Sequence, residues 1–346
     1  MEEIKNEDMQ NTIDTEEPLD KNVRMMSPSQ MVIRRFFRSR LSMIGLVMVV
    51  ALFLFSFLGP VIYDRWGETE LDKTGKMKYA VSETTYTVNG ETYTLRQTTE
   101  TYQEDNALSA PSADHLLGTD DQGYDVFVRL MYGGRISLIV SFLAVFLITI
   151  LGVILGGLAG YFGGAVDTII MRLSDVLMCL PGVPILLILS TILDAMGIDN
   201  RYRIYLLMIY LTFISWTGTA RLVRGQILSL REQEYMVAAE AMGYSTSRKI
   251  FKHLVPNVMP QLIVQMTLSL GSMILYEATL SYLNLGVKAP YAAWGTMINI
   301  ISSNQDILQN YWFVWVPAGI CIVIAVLGFN FVGDGLRDAM DPKGRR

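Results

Sequence analysis

The sequence predicts an all-α polytopic membrane protein with about six transmembrane helices and a small β-containing insertion. Three observations carry this prediction. Of 346 residues, 51% are hydrophobic and only 18% charged, where a soluble domain has about a quarter charged. The apolar residues gather in blocks as long as the roughly 20 residues a helix needs to cross a bilayer core. After the first block comes a Thr- and Tyr-rich stretch with the two-residue alternation of strands.

The first 22 residues are acidic and polar and lack the apolar core of a cleaved leader. Residues 1–33 are therefore expected to form a disordered cytoplasmic tail. Spans are expected near 41–63, 136–160, 168–193, 204–220, 258–283 and 312–333. The fourth is short and ends at Arg221. Residues 64–135 form the insertion, expected outside the membrane. Within it Tyr86–Leu95 alternates around Asn89-Gly90, a hairpin dipeptide because both of its residues adopt positive φ. Such a hairpin suits contact with a substrate-delivering protein, and equally a decoration without a role of its own.

In the second span Gly152, Gly156, Gly160 and Gly164 recur every four residues and form one ridge, where another helix backbone can approach closely. In the third, Pro181 and Pro184 interrupt the backbone ladder and predict a kink or break. Broken helices at membrane depth belong beside cavities, so this span is the first candidate to face a pore. Arg172 and Asp175 are three apart and are expected to pair on its surface. Glu277 lies about 30 Å beyond Pro256 at 1.5 Å per residue. That places it near the outer surface, as a gate contact or as a solvated helix end.

Orientation follows from Lys and Arg. Arg34, Arg35, Arg38 and Arg40 precede the first span. Arg221, Arg224, Arg231, Arg248, Lys249 and Lys252 lie between spans four and five. Arg337, Lys343, Arg345 and Arg346 close the chain. Both termini are thus expected in the cytoplasm, with residues 335–346 as a tail. Arg201 and Arg203 fall outside and are the exceptions.

Several chemistries are excluded. Gly75-Lys76 lacks the glycine spacing and the following Ser or Thr of a phosphate-binding loop. Cys179 and Cys321 both lie in apolar blocks, so no extracellular disulfide and no zinc framework is expected. His115 and His253 fall on opposite membrane sides and cannot share a metal. No serine or cysteine sits in a nucleophile motif. No catalytic residues and no metal site are expected.

The most informative segment is the loop 221–257. It contains Glu234, Tyr235, Ala238, Ala239, Glu240 and Gly243, followed by Arg248 and Pro256. An Ala-rich short helix can be approached closely by another protein. Gly243 suits its C-terminal cap, and Pro256 suits the first turn of the next membrane helix. A force applied to this knob would reach the membrane.

This pattern resembles the coupling loop of the ABC import permeases that work with a binding protein. There an Ala-Ala pair precedes Gly, Pro follows, and the loop docks on an ATPase subunit. The match rests on Ala238, Ala239, Gly243 and Pro256; Val237 stands where the family usually has Glu. Three further segments resemble the oligopeptide, dipeptide and nickel permeases. They are His115–Asp125 with Gly133–Leu138, Glu277–Gly286 with Trp294-Gly295, and Gly333–Asp338 with Asp341-Pro342. The basic run into Leu41–Gly45 resembles their first span.

The resemblance implies the type I ABC importer fold, with 136–334 as the permease core. It also implies a second homologous permease, two ATP-binding subunits that use ATP and Mg, and an extracellular substrate-binding lipoprotein. This chain itself is expected to bind neither cofactor nor nucleic acid. An ion-coupled carrier would instead need charged midplane sites and internal repeats, neither of which is evident. A receptor or scaffold using residues 64–135 as a ligand module is the remaining rival.

Overall fold

The computed structural model describes residues 28–74, 77–88, 91–103 and 106–341. The tail over 1–27, Gly75-Lys76, Asn89-Gly90 and the basic residues after Asp341 lie outside the described residues.

Helix α1 (Pro28–Arg38) opens the described chain. Residues 28–33, expected as tail, are helical instead. Pro28 is favourable at a first helical position, and Phe36 is buried near Gly335. Helix α2 (Arg40–Ile62) follows, with Ser39 accepting from the Ser42 amide at 3.4 Å. Strands β1 (Met77–Val88) and β2 (Glu91–Gln103) pair antiparallel from Met77↔Gln103 to Val88↔Glu91. The two strands expected around Asn89-Gly90 thus pair up to Val88 and Glu91.

Helix α3 (Val126–Phe162) starts ten residues before the expected span. Asp125 caps it, accepting from the Val128 amide at 2.8 Å. Arg129 does not end it, because its guanidinium is buried, 2.8 Å from Asp120 and over the Tyr124 ring. Helices α4 (Gly164–Cys179) and α5 (Gly182–Ala195) meet at 78°. The break falls at Leu180-Pro181, and Pro184 stands in the first turn of α5, where its missing N–H costs no bond.

Helix α6 (Asn200–Leu230) is 31 residues long, far beyond the short span expected. It continues past Arg221 because Arg221 meets Asp175 at 2.7 Å and Arg224 meets Asp167 through two nitrogens, both on α4. Asp175 is therefore matched by Arg221, not by Arg172 on its own helix. Helix α7 (Glu234–Ala241) is the short loop helix. Helix α8 (Thr246–Tyr282) starts ten residues before Pro256 and includes a π-turn at Lys249–Leu254. The wider turn makes room for the Pro256 ring, which would otherwise meet a carbonyl four residues back. Helices α9 (Trp294–Ser303) and α10 (Gln305–Asn310) cross one end of the bundle.

Helix α11 (Trp312–Met340) runs through the expected tail boundary. Gly328 and Gly335 do not end it. They sit where α2 crosses, and a Cβ on Gly335 would fall 1.9 Å from Ser42 Oγ.

Among the described residues five helices are long and apolar enough to cross a membrane, and six spans result if α4 and α5 count as one. The all-α polytopic expectation holds. Arg35 donates to the Asp341 carbonyl at 3.1 Å, so α1 and the last turn of α11 share one end, here the terminal end. The hairpin, the loops around it and α9–α10 occupy the other, the hairpin end.

The glycine ridge packs on α6. Cβ atoms on Gly152 and Gly156 would fall within 2.6 Å of Thr219 and Ala220, and one on Gly160 would meet Arg224 and Ile227. Gly164 is not part of it. At φ +51°, with open space around it, it serves the turn into α4.

Candidate functional site

The loop between α6 and α8 is built as a projecting, well-anchored corner. Glu234 opens α7, where a carboxylate suits the positive helix end. Met236 and Ala239, three apart, are both buried, and Met236 packs with Val223, Ile227, Leu254, Val258 and Leu262. Tyr235, Val237, Ala238, Glu240 and Ala241 remain exposed. The helix ends in a closed cap: the Tyr244 amide donates to Ala239 O at 3.1 Å and the Gly243 amide to Glu240 O at 2.9 Å. This pattern needs a residue in the left-handed region, and Gly243 supplies φ +71°. Arg248 lies 4.1 Å over the Tyr244 ring, which stacks on His253. Pro256 is exposed on α8.

Three helices hold this corner. Arg231 on the α6–α7 connection donates to the carbonyls of Gly160 and Tyr161 at 3.3 Å. Lys249 is buried against the Tyr161 ring, with Glu240 3.7 Å away. Sequence reasoning missed Met236 and Lys249, although the Met236/Ala239 spacing was a readable signal.

Of the pore or gate candidates, Pro181 and Pro184 flank Gly182, which lines a central cavity of about 400 Å³. The prolines themselves are exposed beside it. Glu277 departs further from expectation. It is fully buried, not a solvated helix end. Its carboxyl oxygens accept from Ser137 Oγ at 2.8 Å and Ser281 Oγ at 2.7 Å. The Trp294 amide donates to Ser137 Oγ at 3.3 Å, and the Trp294 indole to Leu130 O at 2.9 Å. Trp294 at the head of α9 thus covers a polar knot that joins α3 to α8.

At the hairpin end each ring nitrogen of His115 faces a carboxylate, Asp125 at 2.8 Å and Asp72 at 3.1 Å, and Trp66 stacks on the ring. Burial alone would raise Asp72. Hydrogen bonds from Asn106, Thr74 and His115 outweigh it and hold the carboxyl at about 2. Arg203, the topological exception, is buried and bonded to Asp194 at 2.6 Å and to Ser190. Lys288 reaches the same Asp194 at 2.9 Å. Among the described residues no group of three or more His, Cys, Asp or Glu is placed to hold a metal.

The geometry is that of a membrane bundle with an exposed, anchored corner at one end. Comparison with known proteins agrees with it. Residues 152–346 match the model of the binding-protein-dependent transport system inner membrane component. Residues 27–74 match that of the N-terminal TM domain of oligopeptide transport permease C. The chain is 38% identical to the oligopeptide transport system permease protein OppC of Bacillus subtilis, over 90% of this chain and 88% of that one. It is 44% identical to the dipeptide transport system permease protein DppC of the same organism, over 68% and 71%. It is 34% identical to DppC of Alkalihalophilus pseudofirmus, over 94% and 93%. With two family models in register and relatives along nearly its whole length, the chain belongs to the ABC importer permeases, the inner membrane components of binding-protein-dependent transport systems.

Proposed function

We propose that this chain forms half of the translocation pore of an ATP-driven importer of oligopeptides or dipeptides. A second homologous permease supplies the other half. Two ATP-binding subunits use ATP and Mg, and this chain carries no ATPase site of its own. One of them docks on the corner from Glu234 to Pro256, and a substrate-binding lipoprotein delivers solute at the hairpin end. The terminal end faces the cytoplasm, as its arginines direct, and the hairpin end faces outward.

The observation that carries this reading is the corner itself. Ala238 and Ala241 are small and exposed beside Tyr235 and Val237, so a partner can come close to the backbone. The inward face is locked to α3, α6 and α8. A push delivered there cannot dissipate in a flexible loop. The peptide cargo follows the names of the relatives; nickel or another small solute is the cargo alternative within the same family.

The test is site-directed cross-linking in native membranes from Ala241→Cys, in a background where Cys179 and Cys321 are serine. A nucleotide-sensitive cross-link to an ATP-binding subunit, with ATP-dependent peptide uptake, is the expected result. Labelling of residue 241 from outside the cell, or uptake without a nucleotide-hydrolysing companion, overturns it.

A further inference from the structure

The central cavity lies at membrane depth. On α6 no Asp, Glu, Lys or Arg stands between Arg203 and Arg221, about 27 Å of helix at 1.5 Å per residue. On α8 none stands between Lys252 and Glu277, and Gln265 falls at the middle of that interval. Yet the walls here are not purely apolar. Gln265, Ser269, Ser272 and Tyr276 recur at steps of four, three and four along α8, so they share one face. Ser215 and Thr219 of α6 line the same space. Hydroxyls and an amide at this depth are costly against lipid, which offers no hydrogen bonds. They suit a wet, solute-bearing space.

Two further observations give the space a direction. A second cavity of about 440 Å³, reaching Arg337 and Asp341 at the terminal end, is also lined by Gln265. The cavity at the hairpin end shares no lining residue with the central one. Between these two lies the apolar cluster of Leu186, Ile204, Leu207, Met208 and Leu280.

Resting on the proposed function, we infer that the uncharged polar face of α8 centred on Gln265 is this chain's share of the solute path, and that it takes the peptide backbone rather than the side chains. Backbone amides carry the donors and acceptors that Ser, Thr and Gln match. No fixed charge lines this stretch, so a passing Lys or Glu side chain is neither held nor repelled. The path is therefore tolerant of sequence, and a charge placed at position 265 makes it selective.

The test is ATP-dependent uptake of tri-alanine, Ala-Lys-Ala and Ala-Glu-Ala by the reconstituted full complex, comparing wild type with Gln265→Glu and Gln265→Lys. A unit charge about 6 Å from a passing charge in water-like surroundings shifts its occupancy about three-fold. Attraction of one peptide and repulsion of the other multiply, so the uptake ratio of Ala-Lys-Ala to Ala-Glu-Ala is expected to rise about ten-fold in Gln265→Glu and to fall about ten-fold in Gln265→Lys. Unchanged ratios in both variants, with tri-alanine still carried, overturn the inference and leave the proposed function standing. A wild-type complex that hydrolyses ATP but carries none of the three peptides overturns the proposed function and this inference together. Should the charged variants fail to assemble, Ser269→Cys and Leu275→Cys decide, in a background where Cys179 and Cys321 are serine. The first is expected to react with a membrane-impermeant thiol reagent at least ten-fold faster than the second, which faces away from the cavity. Equal rates overturn the inference.

Discussion

The cap at Gly243 offers the sharpest test of the corner. A Cβ built there meets no atom within 4 Å, so a side chain has room within this chain. Backbone strain is the intrachain cost. At φ +71° an ordinary L-residue costs about 1–2 kcal/mol, whereas Asn tolerates the left-handed region. Opening the cap instead would release the amides of Gly243 and Tyr244 from Glu240 and Ala239, at about 1 kcal/mol for each bond lost. The series Gly, Asn, Ala, Val at 243 is therefore expected to lose function in that order, with Asn near wild type. Gly243→Ala is expected to be weakened by about 1 kcal/mol of cap stability, and Gly243→Val by more. Two readouts check it: ATP-dependent uptake per assembled complex, and amide exchange over residues 240–244. A fully active Gly243→Val complex would refute the argument. So would Gly243→Asn failing as badly as Gly243→Val, since size rather than backbone angle would then be at fault and a partner would fill the space.

Other outcomes follow from the remaining polar and packing features. Asp72 is depressed to about 2 from an ordinary 3.8, so its stabilising effect is present above pH 3.8 and is lost as pH falls through about 2. At ~1.36 kcal/mol per unit this is about 2–3 kcal/mol. Asp72→Asn is expected to lower the melting midpoint of the solubilised complex near pH 7 and to converge with wild type only as pH falls through about 2. Glu277→Ala strands the hydroxyls of Ser137 and Ser281 and is expected to cost about 2–4 kcal/mol in thermal stability; Glu277→Gln keeps an acceptor and is expected to cost less. Gly156→Ala would press a Cβ 2.3 Å from the Ala220 carbonyl oxygen, backbone that cannot swing away, and is expected to cost about 2 kcal/mol or more in bundle stability. Gly157→Ala, whose Cβ meets Ile227 only at 3.7 Å, is its tolerated neighbour in the same melting experiment.

The spans were legible because a bilayer demands long apolar runs, and the sequence has little other use for them. Their ends were not. A charge normally marks the water boundary, but Arg129, Arg221 and Arg224 each meet an aspartate from another segment, and the helices run on through them. Residues 335–346 were expected as a tail, yet Gly335 lies within α11 where α2 crosses it. The burial of Glu277 depended on Trp294, seventeen residues further along and covering it from a helix that had no sequence signal. The corner was legible through Ala238, Ala239 and Gly243, because capping and close approach leave marks in local spacing. The polar stripe from Gln265 to Tyr276 was present in the sequence too, but its significance needs Ser215 and Thr219 across the gap, and those are contacts between helices.

Helix α6 carries a charge at both edges of its apolar stretch, Arg203 locked to Asp194 and Arg221 to Asp175. Drawing either edge into hydrocarbon costs about 3 kcal/mol per charged residue. The chain is thus fixed in height like a bolt with a head at each face of a plate. It can swivel or lean, but it cannot ride up and down. Any rearrangement of this helix within the bilayer is therefore a turn or a tilt rather than a slide along the membrane normal.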